Sequence, residues 1–369
     1  MSMRLVFRSC FFLLIVFLSY QFYQVNKVSK TPKSHETKKA PIHVLIISSW
    51  RSGSSFLGQI FNHHPDVFYI FEPGHSIWMR LYNLGVNLLH YPVRDLIHSL
   101  FNCDVTPMQQ YVSGDGRYIS GMGFFGESRA LCLPPTCPYP EPPEGYNRTK
   151  CYEDCKNGTF DDMAKVCHTY NYRVMKTVRI LDFSVLLPLF RDPNLDLRII
   201  HLVRDPRAVA SSRKYFSLSI EDKIVLMEHD KDTKDPIMAK ICKAQANINR
   251  MAKAAGHLLE KRYMLIRHED LSREPVENAQ KIFKFSGLKM TQSIEEWIYN
   301  NTHDDVKKKE KYLSYSKESL KVIQQWRKIM DFKKVKEIEK YCKEFMDLFG
   351  YLPVNSAKDQ KNMSLNFVL

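Results

Sequence analysis

Residues 42–49 read IHVLIISS, a continuous apolar run that stops abruptly at two serines. A strand that is apolar at every position, rather than at alternate ones, is covered on both faces, and parallel sheets flanked by helices produce that pattern. Short β-rich runs recur at Tyr172 to Lys176 (YRVMK), Leu197 to Val203 (LRIIHLV) and Tyr263 to Ile266 (YMLI), with helical patterns between them. Strands alternating with helices predict an α/β fold: a central parallel sheet flanked by helices, with ligands outside the carboxyl ends of the strands. Toward the end of the chain, Val335, Ile338, Cys342, Phe345 and Phe349 fall at steps of three and four before Gly350. That spacing predicts a helical C-terminal part packed on the core.

A second apolar segment, Cys10 to Tyr23, follows Arg4 and Arg8 and precedes Lys27, Lys30 and Lys33. Extended back over Leu5, Val6 and Phe7, it reaches the lower limit of about 17 residues for crossing hydrocarbon. A basic start and an apolar run also describe a cleaved signal peptide, but the exit reads Gln21, Phe22, Tyr23, Gln24, without a small-x-small site. An uncleaved anchor is therefore expected. The next stretch, residues 26–41, carries five lysines and one glutamate and almost no large apolar side chain, as a tether would. The expected division is a cytoplasmic tail at 1–7, a type II transmembrane signal anchor at 8–25, a lumenal stem at 26–41, the folded body at 42–352 and a C-terminal tail at 353–369.

The lumenal side is inferred from cysteine and asparagine usage. Eight of nine cysteines lie beyond the apolar run, as do the Asn-x-Ser/Thr acceptors at Asn147, Asn157, Asn300 and Asn362. Cys132, Cys137, Cys151, Cys155 and Cys167 crowd around a stretch in which six of the ten residues from Pro134 to Pro143 are proline. In an oxidising lumen this reads as a disulfide-stapled surface excursion. Zinc is the competing reading, disfavoured because C-x4-C and C-x3-C are not the usual tight pairs.

The 54 Lys and Arg against 40 Asp and Glu leave a formal charge of +14, a field that attracts anionic ligands. Nucleic acid is not the expected partner: zinc-finger spacing, a basic region with heptads and an aromatic RNA-binding signature are all missing from the sequence. The chain is compatible with a homo-oligomer as well as with a monomer.

The chemistry is expected where strands end. The first end reads Ser48-Ser49-Trp50-Arg51-Ser52-Gly53-Ser54-Ser55 and runs strand, turn, helix. Gly53 and the hydroxyl residues around it suit a turn that aims backbone N–H groups and a helix N-terminus at one phosphate, and Arg51 adds a cation. A Walker A loop would need G-x-x-x-x-G-K-[ST]; its first glycine and its lysine are both missing, which argues against an ATPase, GTPase or kinase. The second end reads Leu202-Val203-Arg204-Asp205-Pro206-Arg207-Ala208-Val209-Ala210, then Ser211 and Ser212. Pro206 suits the first helical position, which puts Arg204 in the turn and Ser212 about two turns along. An arginine fork and a hydroxyl there suit a second phosphate group.

SSWRSGSSF paired with HLVRDPRAVASSR, followed by RHEDL at Arg267 to Leu271, resembles the sulfotransferases that use 3′-phosphoadenylyl sulfate. More narrowly, SSWRSGSSFLGQIFNHHPDVFYIFEP resembles the Golgi carbohydrate sulfotransferases that modify C6 hydroxyls of N-acetylglucosamine, galactose or N-acetylgalactosamine, and most of all the N-acetylglucosamine group. The resemblance implies the P-loop-like sulfotransferase fold, a Golgi membrane location through one N-terminal helix, and a glycan acceptor containing N-acetylglucosamine. Ser48 to Ser55 then form the 5′-phosphosulfate loop, and Arg204 and Ser212 hold the 3′-phosphate. Arg51 would neutralise charge on the leaving phosphate. No metal is expected, since the leaving group is already good and cationic side chains supply the charge.

Transfer also needs a base for the acceptor hydroxyl. Glu72 is the expected base: it follows the apolar run Val67 to Phe71, and its separation from Arg51 is similar to that in tyrosylprotein sulfotransferases, which HPDV at His64 to Val67 also resembles. His75 is the substitute. Lys176 and Arg179 are expected to meet anionic oxygens of the co-substrate or acceptor, with Lys176 counted among the catalytic residues. Glu127 and Arg129 are expected at the sugar, and Trp297 and Trp326 are candidate stacking platforms that helical spacing assigns more readily to the core. A catalytically silent glycan-binding relative is the other class considered; Arg51, Arg204 and Ser212 together argue against it.

Overall fold

The structure, a computed structural model, describes residues 40–139, 145–216, 218–227, 237–302 and 319–369. The expected anchor at 8–25 and nearly all of the stem lie outside the described residues. No helix among the described residues is long and apolar enough to cross a membrane.

Five strands form one sheet: β1 (Ile42–Ser48), β2 (Val67–Phe71), β3 (Tyr172–Thr177), β4 (Asp196–Val203) and β5 (Tyr263–Arg267), in the order β2-β3-β1-β4-β5. Every pairing is parallel, as the apolar runs predict. All seven residues of β1 are buried, because it is the central strand and both its faces are covered. Leu45, Ile47, Phe68 and Ile70 pack on one face against Val93, Leu96, Leu100 and Phe183. Val44, Ile46, Tyr69 and Val174 pack on the other against Leu57, Phe61, Ile282 and Phe283. Fully burying side chains of this size contributes about 1.5–3 kcal/mol each, so the sheet register is strongly fixed.

Strand order places the functional ends. The chain leaves β1 for β2 on one side, and after β3 it crosses β1 to β4 on the other. Connections diverging from a central strand open a crevice at its carboxyl end, where ligands of doubly wound sheets sit.

The C-terminal stripe behaves as expected: Val335, Ile338, Cys342, Phe345 and Phe349 are all buried, in a third core with Val203, Val209 and Trp326. The stripe is carried by two helices, Phe332–Tyr341 and Lys343–Phe349, joined at Cys342. Residues 353–369 are packed rather than loose. Leu352 N donates to Phe367 O at 2.9 Å, Phe367 and Val368 are buried, and Arg327 donates to the carbonyls of Gln360 and Leu365 at 3.0 Å each.

All eight cysteines beyond residue 40 are paired: Cys103–Cys167, Cys132–Cys151, Cys137–Cys155 and Cys242–Cys342. The thiols are thus consumed by disulfides, not by zinc. Two bonds bracket the proline-rich excursion, as expected for a stapled surface loop. Asn147, Asn157, Asn300 and Asn362 are all exposed.

Candidate functional site

At the end of β1, the Ser48 hydroxyl donates to the Leu202 carbonyl of β4 at 2.6 Å, locking the two central strand ends together. The turn beyond is tight. Arg51 and Gly53 both adopt left-handed backbone, with φ of 71° and 85°, and Ser49 and Ser52 share a hydroxyl hydrogen bond at 2.6 Å. Gly53 is needed twice over, since a Cβ there would also lie 2.4 Å from His268 Nδ1. Arginine holds no such exemption, so its left-handed backbone is strain stored at a strand end, a feature that clusters at ligand sites. The helix Ser54–Asn62 starts here without a side-chain cap and without an acidic residue in its first turn. Its N-terminal amides and dipole are left for an anion.

At the end of β4, Asp205 caps the helix Pro206–Arg213 by accepting from Arg207 N at 2.9 Å, with Pro206 in the first turn as expected. Ser212 and Arg204 both reach the first loop: Arg51 Nε donates to Ser212 Oγ at 3.1 Å, and Arg204 Nη1 donates to the Arg51 carbonyl at 2.9 Å. The two sequence motifs therefore meet. Arg204 is buried, and its Nε has no hydrogen-bond partner among the described residues. Burial, with the neighbouring charges of Arg204 and Arg213, pushes the Arg51 guanidinium down to about 10. Burial also lowers Arg204, against the opposing pull of Glu269 and Asp205. Cations crowded this way gain from a bound anion. The Phe216 ring lies against Arg51, 3.5 Å from guanidinium carbon to centroid.

Not every residue of the second motif points into the crevice. Arg207 is fully buried, ion-paired to Asp205 and to Glu339 at 2.8 Å each, and lies over Trp326 at 4.3 Å. It braces the turn from behind. Leu202 and Val203 belong to the sheet, and Ala208 and Val209 face the third core. Asp205 turns its backbone N–H to Glu269 Oε1 at 3.0 Å, and Glu269 Oε2 accepts from Tyr351 OH at 2.8 Å. Burial raises the Glu269 carboxyl.

Beyond β2, Glu72 also holds left-handed backbone, at φ 47°. Its carboxylate is buried; Oε1 accepts from Lys176 Nζ at 2.5 Å, and Oε2 from Arg179 and from Val178 N, the latter at 3.4 Å. Burial raises this carboxyl most, but the charges of Lys176 and Arg179 together outweigh it and hold the group below its ordinary value. Glu72 is therefore ionised at neutral pH. Arg179 lies 6.0 Å from the Trp50 ring and 5.7 Å from Trp78, so the first loop touches the Glu72 cluster through Trp50. His75 is half-buried and donates its backbone N–H to the Glu72 carbonyl at 3.0 Å. Burial and the Arg179 charge lower its imidazole to about 4.

The two residues expected at the sugar, Glu127 and Arg129, are held by protein partners. Glu127 is buried and pairs with Arg148 at 3.1 Å and Gln59 at 3.2 Å. The Arg129 backbone N–H donates to Asn62 Oδ1 at 2.7 Å and its guanidinium to the Pro65 carbonyl at 3.1 Å. Both tie the disulfide-stapled excursion to the helix Ser54–Asn62, alongside Phe125, Ala130 and Leu131, which are buried in the first core. Trp326 is core, and Trp297 stacks on His63 at 4.2 Å. Arg179, expected at ligand oxygens, pairs with Glu72 and lies 3.8 Å from the Glu221 carboxylate. The motif reading gave no role to Arg213, the last residue of HLVRDPRAVASSR, and missed Phe216 and Glu221, which follow without a signature of their own.

A family model described as "Sulfotransferase domain" matches residues 41–350. The chain is 37% identical over 340 residues to mouse carbohydrate sulfotransferase 4, covering 90% of this chain and 88% of that protein. It is 38% identical over 347 residues to human carbohydrate sulfotransferase 6, covering 92% and 88%. Among solved structures, the sulfotransferase domain of the olefin synthase from Synechococcus PCC 7002 is 19% identical, covers 83% of this chain and 96% of its own, and gives a TM-score of 0.41.

Proposed function

This chain belongs to the sulfotransferase domain family, and we propose that it moves sulfate from 3′-phosphoadenylyl sulfate to the C6 hydroxyl of N-acetylglucosamine in a glycoprotein or keratan-type glycan. The observation that carries the reading is the meeting of two anion cradles at adjacent strand ends, through the bonds from Arg51 to Ser212 and from Arg204 to the Arg51 carbonyl. A ligand with phosphate at both the 3′ and 5′ positions fits them. The uncapped helix start at Ser54 and the hydroxyls of Ser49 and Ser52 suit the 5′ end; Arg204, with its unpartnered buried Nε, and Ser212 suit the 3′ end. Bound 3′-phosphoadenylyl sulfate supplies the sulfuryl group together with a phosphate leaving group.

Arg51 remains a cation even when lowered to about 10, so at neutral pH it acts by stabilising charge on the departing phosphate rather than by giving up a proton. Glu72 takes the proton of the acceptor hydroxyl. Lys176 keeps that carboxylate ionised and fixed in orientation, which makes it a positioning residue for the base.

The wider setting belongs to the same proposal: a type II Golgi membrane protein held by residues 8–25, a stem at 26–41 and a lumenal body from residue 42. Four disulfides and four exposed glycan acceptor sites support a lumenal body. The names of the relatives support a carbohydrate acceptor. The test is to incubate the secreted lumenal body with labelled co-substrate and oligosaccharides ending in N-acetylglucosamine, galactose or N-acetylgalactosamine. Label at C6 of N-acetylglucosamine is expected. Label confined to either of the other sugars contradicts the acceptor assignment, and no label on any contradicts the activity.

A further inference from the structure

The helix Ser219–Leu226 carries two acidic residues in its first turn, and consecutive side chains reach different parts of the site. Glu221 Oε1 lies 3.8 Å from Arg179 Nη2, the guanidinium whose other nitrogen holds Glu72. Asp222 Oδ1 accepts from Arg213 Nη2, on the guanidinium whose charge bears on Arg51. The two arginines are buried, Arg179 and Arg213 being 4% and 8% exposed, while Glu221 is 15% and Asp222 33% exposed. One helical turn thus touches the acceptor side and the donor side at once.

We propose that Glu221 and Asp222 are positioning residues for separate halves of the transfer reaction: Glu221 aligns Arg179 on the general base Glu72, and Asp222 aligns Arg213 beside Arg51 in the phosphate cradle. The inference rests on the sulfuryl-transfer reading of the site. Two further observations support the division. Arg213 Nη1 is buried without a hydrogen-bond partner among the described residues, so the Asp222 bond fixes one nitrogen of the fork and leaves another for an anionic oxygen. Arg179 is shared between two carboxylates, so Glu221 draws part of its charge away from Glu72.

The groups facing Glu72 are Lys176 and Arg179 from the β3 end, and His75 through the chain that follows Glu72; Glu221 and Glu127 act at one remove, through Arg179 and Lys176. His75 is neutral down to about pH 4. Removing the Glu221 charge therefore leaves Glu72 facing a more positive surround, and a carboxylate in such a surround is the weaker base.

The test compares Glu221→Gln with Asp222→Asn in the whole secreted body, measuring kcat, KM for the sulfate donor and the pH dependence of kcat. Glu221→Gln is expected to lower kcat about threefold or more and move its acid limb to lower pH, with donor KM unchanged. Asp222→Asn is expected to raise donor KM about threefold or more and leave the acid limb where it was. Equal effects of both variants on both parameters, or donor KM rising in Glu221→Gln, would overturn the division. If either amide variant is not secreted, Glu221→Asp and Asp222→Glu replace it, because they keep the charge and alter only reach; the same split is expected in smaller measure, and wild-type kinetics in both would contradict it. Full turnover by Glu72→Gln would defeat the base assignment itself, an outcome distinct from any of these.

Discussion

The Arg204 guanidinium donates to the backbone carbonyl of Arg51 at 2.9 Å, across 153 positions of sequence. The bond holds one motif's cation on the other motif's strained turn, so each turn depends on the other for its shape. Neither motif is a free-standing site.

Arg51→Ala and Arg204→Ala are each expected to reduce kcat/KM by about 100-fold or more, the usual loss on removing one donor aimed at developing charge. Secretion of the body should stay at the wild-type level. Arg204→Lys should fail nearly as badly, because a single ammonium cannot reach the Arg51 carbonyl and a phosphate with a planar fork. Steady-state assays with labelled co-substrate check all three.

Gly53→Ala should abolish binding of the bisphosphorylated nucleotide. The substitution places a Cβ 2.4 Å from His268 at a φ of 85° that alanine resists, so the turn must open. Calorimetric titration with 3′-phosphoadenosine 5′-phosphate reads the loss directly; wild-type affinity would show that the loop does not hold the nucleotide.

Glu72→Gln should keep nucleotide affinity and lose turnover. The pH dependence follows from the charges around the carboxylate. Lys176 and Arg179 hold it below its ordinary value, so its ionised form, and the stability that form contributes, is present above the unfolded value of about 4.3. Both are lost only as pH falls through the lower folded value. Activity should therefore show no Glu72 limb between pH 5 and 7 on the scale of ordinary carboxyl groups. Lys176→Met should move the acid limb upward.

Glu269 gives the opposite sign. Its folded-state value is raised by burial, so ionisation opposes folding as pH rises above the ordinary carboxyl range. Glu269→Gln keeps an acceptor for Asp205 N and turns its amide N–H to the Tyr351 hydroxyl, which can accept as well as donate, so it should be tolerated; Glu269→Ala leaves both groups without that partner and should cost about 1–3 kcal/mol. Thermal unfolding across a pH series separates the two variants.

The sheet was legible because a central parallel strand has to be apolar along its whole length, and IHVLIISS is. The two turns were legible as a matched pair of motifs, and Arg204 and Ser212 stand where a helix beginning at Pro206 brings both to one side, against the turn at Arg51. Side-chain direction was not legible at Arg207 or Glu127, since a buried ion pair and a ligand contact use the same residues at the same spacing. Glu221 and Asp222 carry no motif at all: only folding brings the helix Ser219–Leu226 against Arg179 and Arg213. The cysteine pairing was likewise settled by proximity, with Cys242 and Cys342 a hundred positions apart in sequence.

The most direct measurement is a calorimetric comparison of 3′-phosphoadenosine 5′-phosphate with adenosine 5′-phosphate on the wild-type body, Arg51→Ala and Arg204→Ala. If both cradles hold one nucleotide, the wild type strongly prefers the bisphosphate, Arg204→Ala erases most of that preference, and Arg51→Ala weakens both ligands while keeping the preference. Equal affinity of the wild type for the two nucleotides, or an unchanged preference in Arg204→Ala, would contradict the account.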